Sequence, residues 1–344
     1  MLPELSAESP ARIAVRMPNW IGDAVMATPA LGAIREAWPM AHITVIANPL
    51  VAELFVFHPG CDRVLRFDKQ TAHRGIGGLW DFCRVLRKER FDLAILLQNA
   101  VEAAFMATLA GIPRRAGYRT DGRGLLLTAG VAAVDKKHGM HHVDYYLHLL
   151  RQLGVAGGDR RLRLALTPAE EQWAADRLGS GDWIAINPGA SYGAAKRWFP
   201  ERFAAVADAL ADEFGARIVL TGGPGEAGIG DDIARAMRTP SLNLIGTTSV
   251  RELMAVLARC RLVVTNDSGP MHIAAAFGTP IVAVFGPTDH TTTSPLGEQC
   301  RIVRHAADCA PCMLRECPTD HRCMAGISAA DVLAAARSLL GGAQ

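Results

Sequence analysis

Two series of short, almost uninterrupted apolar runs constrain this chain more than any other feature. The first comprises "RIAVRM", "HITVIA" and "FDLAILL"; after a gap come "WIAIN", "ARIVLTGG", "LNLIG", "RLVVTN" and "PIVAVFG". Amphipathic segments separate the runs. Strands that are apolar on both faces and alternate with helices belong to parallel sheets covered on both sides. Because the series occurs twice, the expected fold is α/β with two Rossmann-like domains, and 344 residues, half of them apolar, suffice for two cores. The segment 155–182 has paired glycines, a charged run and a Thr-Pro-x-Glu helix start at Thr167, and reads as the connection. The domains are therefore placed at 1–165 and 166–327, with a C-terminal helix over 328–344.

A formal charge of +2 gives no general case for nucleic-acid binding. The start "MLPELSAESPA" lacks the basic and apolar parts of a secretory signal, and "LAILLQNAVEAAFMATLAGI" is interrupted by Gln98, Asn99 and Glu102. The expected location is the cytoplasm, where the eight cysteines are thiols or metal ligands rather than a disulfide framework.

In open α/β sheets ligands bind beyond the carboxyl ends of the strands, so function is sought in the loops that follow them. After "RLVVT" comes "NDSGPMHIAAAFG", in which Asp267 or Ser268 can cap a helix and Pro270 sits in its first turn. The same amides can hold an anion, and Gly269 permits close approach. "INPGASYGAAKRWFPERF" carries Lys196 and Arg197 in a small-residue loop, suited to neutralising a diphosphate or simply solvated. "GPGEAG" matches a dinucleotide fingerprint by spacing, yet the next strand ends without the acid that would hold a ribose; Gly222 and Gly223 read as a turn lining the cleft. In the first domain, "MPNWIGDAVMATPAL" places Asp23 where a phosphate loop would be. A carboxylate there repels phosphate; it serves either as a helix cap or as an acid or base on the cleft side. Thr28-Pro29 marks a second helix start or a kink.

Together "NWIGDAVMATPALGAIREAWP", "INPGASYGAAKRWFPERF", "VVTNDSGPMHIAAAFGTPIVAVFGPT" and "CAPCMLRECPTDHRC" resemble the ADP-heptose:lipopolysaccharide heptosyltransferases, within them the heptosyltransferase II branch, in family order from about residue 12 to 340. The resemblance implies a GT-B fold, two Rossmann-like domains facing across a cleft, with the C-terminal helix returning toward the first. It implies transfer of L-glycero-D-manno-heptose from ADP-heptose to a lipid-linked lipopolysaccharide inner-core acceptor, with inversion and no required cofactor or metal; the chain has no Asp-x-Asp. An enzyme with such an acceptor is expected at the cytoplasmic face of the inner membrane. Asp23 matches the family's base, Lys196 its phosphate cation, and Asp267, Ser268, Gly269 and His272 its donor loop. Ser268 and Gly269 are assigned to phosphate and Asp267 to a sugar hydroxyl; His272 either reaches the diphosphate or packs its helix.

The loop "GIPRRAGYRTDGRG" offers Arg114, Arg115, Arg119 and Arg123, followed by Lys136, Lys137 and His138, to an anionic acceptor or to solvent. Cys309, Cys312, Cys317 and Cys323, spaced C-x2-C-x4-C-x5-C, can chelate zinc or an iron–sulfur cluster. The tight spacing weighs toward reduced structural thiols. The competing functions are a sibling heptosyltransferase acting at another core position, a nicotinamide-dependent oxidoreductase built on "GPGEAG", and a non-catalytic nucleotide- or metal-binding module.

Overall fold

The computed structural model describes residues 9–134 and 139–341. The chain divides into two compact units, the first ending at Ala165 and the second beginning at Leu166. The first contains β1 (Arg12–Arg16), α1 (Ile21–Met26), α2 (Thr28–Ala37), β2 (His42–Ala47), α3 (Pro49–Ala52), β3 (Arg63–Arg66), α4 (Gly75–Lys88), β4 (Leu93–Leu96), α5 (Val101–Leu109), β5 (Arg114–Tyr118), β6 (Ala129–Val131) and α6 (His142–Gln152). Its six strands are all parallel, in the order β3-β2-β1-β4-β5-β6.

Both faces of this sheet are buried, which is why its central strands read as continuous apolar runs. Ala14, Ala94 and Leu96 pack with Phe82 and Leu86 of α4 and with Met106 of α5. Ile13 and Val15, alternating with Ala14 along β1, turn to the other face and have no exposure. Burial of each such aliphatic side chain contributes about 1.5–3 kcal/mol.

The second unit contains α7 (Pro168–Leu178), β7 (Trp183–Asn187), α8 (Pro200–Phe214), β8 (Arg217–Leu220), α9 (Ala227–Ala236), β9 (Ser241–Asn243), α10 (Val250–Arg259), β10 (Leu262–Asn266), α11 (Gly269–Ala276), β11 (Ile281–Phe285), α12 (His290–Thr293), β12 (Cys300–Arg304), α13 (Arg322–Ala325) and α14 (Ala329–Leu340). Its order, β12-β11-β10-β7-β8-β9, is again fully parallel. Counted from the first strand of each unit, both sheets run 3-2-1-4-5-6, the Rossmann order. Helix starts follow the local chemistry: Thr167 and Glu170 form the expected capping box on α7, and Pro200 opens α8.

The C-terminal helix α14 places Val332, Ala336 and Leu340 in the second unit's core with Ile218, Leu220 and Val264. Its period-3.6 stripe is satisfied there.

The topology fixes where chemistry can sit. Strand order reverses between β1 and β4 in the first sheet and between β7 and β10 in the second. The loops after those four strands are the switch-point loops.

Candidate active site

In the first unit the loop after β1 is held from beneath. Arg16 is buried at the strand end, donates to the Ile46 carbonyl (3.1 Å) and to Asn19 Oδ1 (3.2 Å), and loses basicity to burial, its pKa falling to about 10. Asn48 donates to the Asn19 carbonyl (2.8 Å). Asp23 is not a helix cap: Trp20 holds that position, and Asp23 lies in the first turn of α1. Helix α1 ends at Met26 and α2 begins at Thr28, so the break at Ala27 precedes Pro29, which has no N–H to continue the ladder.

The Asp23 carboxylate turns instead to α6. His142 Nδ1 is 2.8 Å from Asp23 Oδ1, and the Tyr146 hydroxyl hydrogen-bonds the same carboxylate. Positions 142 and 146 are four apart, hence stacked on one helix face. An ionised carboxylate only accepts, so Nδ1–H donates and the His142 tautomer follows. Burial, and then the charge of Asp23, keep the Tyr146 hydroxyl protonated far above its usual range, so it also donates. Side-chain exposures of 26% for Asp23 and 23% for His142 leave the pair reachable from solvent. Beside them Trp20 is 49% exposed, an aromatic face suited to a sugar ring. His142, Tyr146 and Trp20 were not singled out from the sequence. The i, i+4 spacing of His and Tyr was visible, but the placement of α6 against α1 was not.

The basic loop expected to bind the acceptor is largely structural. Residues 114–118 form β5, and Arg114 and Arg115 pair with Leu93 and Ala94 at the amino edge of the sheet, about 10–13 Å from its carboxyl edge at about 3.3 Å per residue. Arg115 is spent on the carbonyls of Leu126 (2.7 Å) and Ile112 (2.5 Å). Arg123 has no exposure and donates to carbonyls of Tyr118 (2.7 Å) and Gln98 and to Asn99 Oδ1 (3.3 Å). It ties β5 to the loop after β4. Only Arg119 among the four follows a strand end and is exposed. Lys136, Lys137 and His138 lie outside the described residues. Since Arg123 satisfies buried carbonyls, Arg123→Ala is expected to cost about 3 kcal/mol and lower the thermal midpoint while leaving ADP affinity intact. A raised acceptor KM with an unchanged midpoint would restore it as a binding residue.

In the second unit the loops after β7 and β10 are laced together. Asn266 donates to the Pro188 carbonyl (2.7 Å) and accepts from the Trp198 amide (3.1 Å), and Ser268 Oγ donates to Asn187 Oδ1 (3.3 Å). Lys196 Nζ stands 2.6 Å from Asp267 Oδ2, with exposures of only 11% and 5%. Thr288 Oγ1 donates to the same oxygen (2.6 Å) from the loop after β11. Lys196 also lies 5.5 Å over the Tyr192 ring. Asp267 is therefore a partner of Lys196 more than an open contact for a sugar hydroxyl. An ammonium has three donors, so two remain after Asp267 takes one.

Ser268 is the N-cap residue of α11, but its hydroxyl goes to Asn187, and the helix opens at Gly269 and Pro270. The first amides of a helix have no intrahelical acceptor and point at any anion placed there. His272 is 3% exposed in α11. Gly222 and Gly223 do not line open space. The Glu226 carboxylate accepts from the Gly223 amide (2.8 Å), and a Cβ on Gly222 would stand 2.7 Å from Glu226 Oε2. A carboxylate fills the place a dinucleotide phosphate would need, and β9 ends in Asn243, so the oxidoreductase alternative loses its ligand site. Cys309, Cys312 and Cys317 lie between β12 and α13 and Cys323 within α13, and among the described residues no three His, Cys, Asp or Glu side chains stand together at ligating positions.

Comparison with known proteins bears on this arrangement. Residues 79–322 match the model of glycosyltransferase family 9 (heptosyltransferase). Lipopolysaccharide heptosyltransferase 2 of Escherichia coli K12 is 30% identical over 85% of this chain and 88% of its own length. The solved structure of E. coli ADP-heptose lipopolysaccharide heptosyltransferase II superposes with a TM-score of 0.83 at 28% identity, covering 96% of this chain and 99% of that one. A family 9 glycosyl transferase from Veillonella parvula superposes at 0.85 with 26% identity over 97% and 98%. The two Rossmann-ordered sheets and the match across most of the length lead to one conclusion: this chain belongs to glycosyltransferase family 9, the heptosyltransferases.

Proposed function

We propose that the protein transfers L-glycero-D-manno-heptose from ADP-heptose to the heptosyl inner core of lipopolysaccharide, inverting the anomeric carbon. The observation that carries the mechanism is the Asp23 carboxylate held by His142 and Tyr146 at the first switch point. Asp23 accepts the proton of the attacking acceptor hydroxyl as the bond to the anomeric carbon forms and the bond to the ADP oxygen breaks. The leaving diphosphate is neutralised by Lys196 and the N-terminal amides of α11, with no metal required. Asp267 positions Lys196, and Trp20 gives the acceptor sugar an apolar face. Arg119 and the exposed Arg74, which follow the ends of β5 and β3, receive the anionic groups of the core.

No helix among the described residues is long and apolar enough to cross a membrane, so the lipid-linked acceptor is met at the surface of the bilayer. Incubating the protein with ADP-heptose and purified heptose-deficient cores of defined truncation, and reading the product by mass, tests the reaction and its position together. A mass gain of one heptose only on a core lacking the second heptose supports this reading; a gain on another truncation points to a sibling position.

His142 acts through Asp23. Hydrogen bonds to an ionised carboxylate favour that form, so their loss raises its pKa. His142→Ala is therefore expected to lower kcat by about 10–100-fold with little change in the KM for ADP-heptose, and to move the acid limb of the kcat profile to higher pH. His142→Gln, which retains a donor, should recover part of the rate. An unmoved acid limb would sink this role.

A further inference from the structure

Between β12 and α13 the chain runs through residues 305–321 without regular secondary structure and mostly exposed. Connections of this length are uncommon in compact domains unless they serve a site. This one is laid across loops that follow strands of its own unit. The Met313 amide donates to the Pro287 carbonyl (2.9 Å) in the loop after β11, the loop whose Thr288 holds Asp267. In the loop after β7, the Ala195 amide donates to the Arg315 carbonyl (2.9 Å), and His321 Nε2 stands 2.6 Å from the Ala195 carbonyl. A Cβ on Gly193 would fall 2.2 Å from the Arg315 oxygen, so only glycine lets the two backbones meet. The crossing therefore lies at the carboxyl edge of the second sheet, the edge at which open α/β sheets take their ligands.

The crossing delivers one side chain that its own backbone bonds do not need. The Arg315 guanidinium is exposed and makes no ion pair or hydrogen bond among the described residues; its contact is the Tyr192 ring, 5.3 Å away at the centroid. Lys196 stands 5.5 Å from the same centroid. Both cations lie within the ~6 Å over which a ring face attracts them, and the Tyr192 hydroxyl anchors the ring by donating to the Met313 carbonyl (2.8 Å). One ring thus sets two positive groups at most about 11 Å apart, a span that two linked phosphates with charge-assisted bonds of about 2.7–2.9 Å can bridge.

Charge separates a merely solvated arginine from a ligand here. Lys196 is matched by Asp267 at 2.6 Å, so that pair brings little net charge to an arriving diphosphate. A dense anion calls for a positive group that no carboxylate has neutralised, and Arg315 is one. Its planar fork can hold two phosphate oxygens at once. We infer that Arg315 is a second cation for the donor diphosphate, set beside Lys196 by the ring of Tyr192 and carried there by the 305–321 crossing. This rests on the reading of the second unit as the ADP-heptose site. Arg315 takes phosphate, whereas Tyr192 acts through the two cations and is a positioning residue.

Titration calorimetry with ADP, at several salt concentrations, and thermal melting of the full chain test this. Arg315→Ala is expected to weaken ADP binding about tenfold, the effect of losing a charge-assisted hydrogen bond. Its affinity should also depend less on salt, since one screened attraction is gone. The thermal midpoint should stay, because the Arg315 carbonyl and not its side chain holds Ala195. Arg315→Lys, which keeps the charge without the fork, should recover part of the affinity. Tyr192→Leu should bind ADP about two- to tenfold more weakly than Tyr192→Phe, which keeps the ring. Wild-type ADP affinity in Arg315→Ala would overturn the inference, as would a loss accompanied by a lowered midpoint and the wild-type salt dependence, the pattern of a structural arginine. Equal affinity in Tyr192→Leu and Tyr192→Phe would overturn the part given to the ring. A wild-type chain that binds no ADP would overturn the donor reading along with this one, so the wild-type titration tells the two failures apart.

Discussion

Asp23→Asn is expected to lower kcat by about 10²–10⁴-fold, the range contributed by a positioned general base, with ADP affinity essentially unchanged. Asparagine keeps the shape and can still accept from His142 through its carbonyl, so the helix pairing survives while the proton acceptor is removed. The residues proposed to hold the nucleotide belong to the other unit, so a loss confined to turnover separates a base from a structural carboxylate. Steady-state kinetics with saturating acceptor, together with ADP titration calorimetry, check both halves. Equal loss of binding and turnover would remove Asp23 from the role of base. The geometry also explains how an acid can occupy a helix N-terminus usefully: the first-turn amides and the two donors from α6 all favour the ionised form, the form that can take a proton.

The parallel sheets were legible because their central strands are buried on both faces. "RIAVR", "WIAIN" and "IVAVF" have no polar face to interrupt them. The strands that escaped notice, "RVLR", "RRAGY", "AGV" and "CRIVR", carry arginines or small residues. Three of these lie at sheet edges, where one side needs no apolar neighbour. In "RRAGY" the reason is local: a Cβ on Gly117 would stand 3.1 Å from the Arg123 guanidinium that crosses it.

The site divides along the same lines. Asp23, Lys196, Asp267 and Gly269 lie in the loops, or in the first helical turns, that follow strands next to the order reversals, the chain positions that the sequence pattern singles out. Their partners were not legible, since His142 is 119 residues from Asp23 and Asp267 is 71 from Lys196. A cluster of arginines reads as a binding patch until the register shows two of them at the amino edge and a third satisfying buried carbonyls. Charge in a loop signals function only when the fold points it outward at the carboxyl edge.

Lys196→Ala tests the other half of the mechanism and is expected to be nearly as damaging, with kcat/KM falling about 10²–10³-fold, the usual cost of removing one donor to developing charge. Unlike the change at Asp23, it should weaken ADP binding as well, because the diphosphate is charged before and after transfer. The buried pairing adds a second consequence. With its ammonium gone, the Asp267 carboxylate, 5% exposed in the intact pair, keeps Thr288 as a donor and carries an uncompensated charge beside the proposed phosphate site. Breaking one side of such a buried pair typically costs about 3–5 kcal/mol, so the thermal midpoint should fall too, and ADP should meet repulsion where it met attraction. The double variant Lys196→Ala/Asp267→Asn removes that repulsion while leaving the cation absent. Part of the ADP affinity and most of the stability should return, but not the rate, since neither change restores a positive charge to the leaving diphosphate. Recovery of the rate along with affinity would show that Lys196 serves only to neutralise Asp267, and would move the stabilising charge elsewhere in the site.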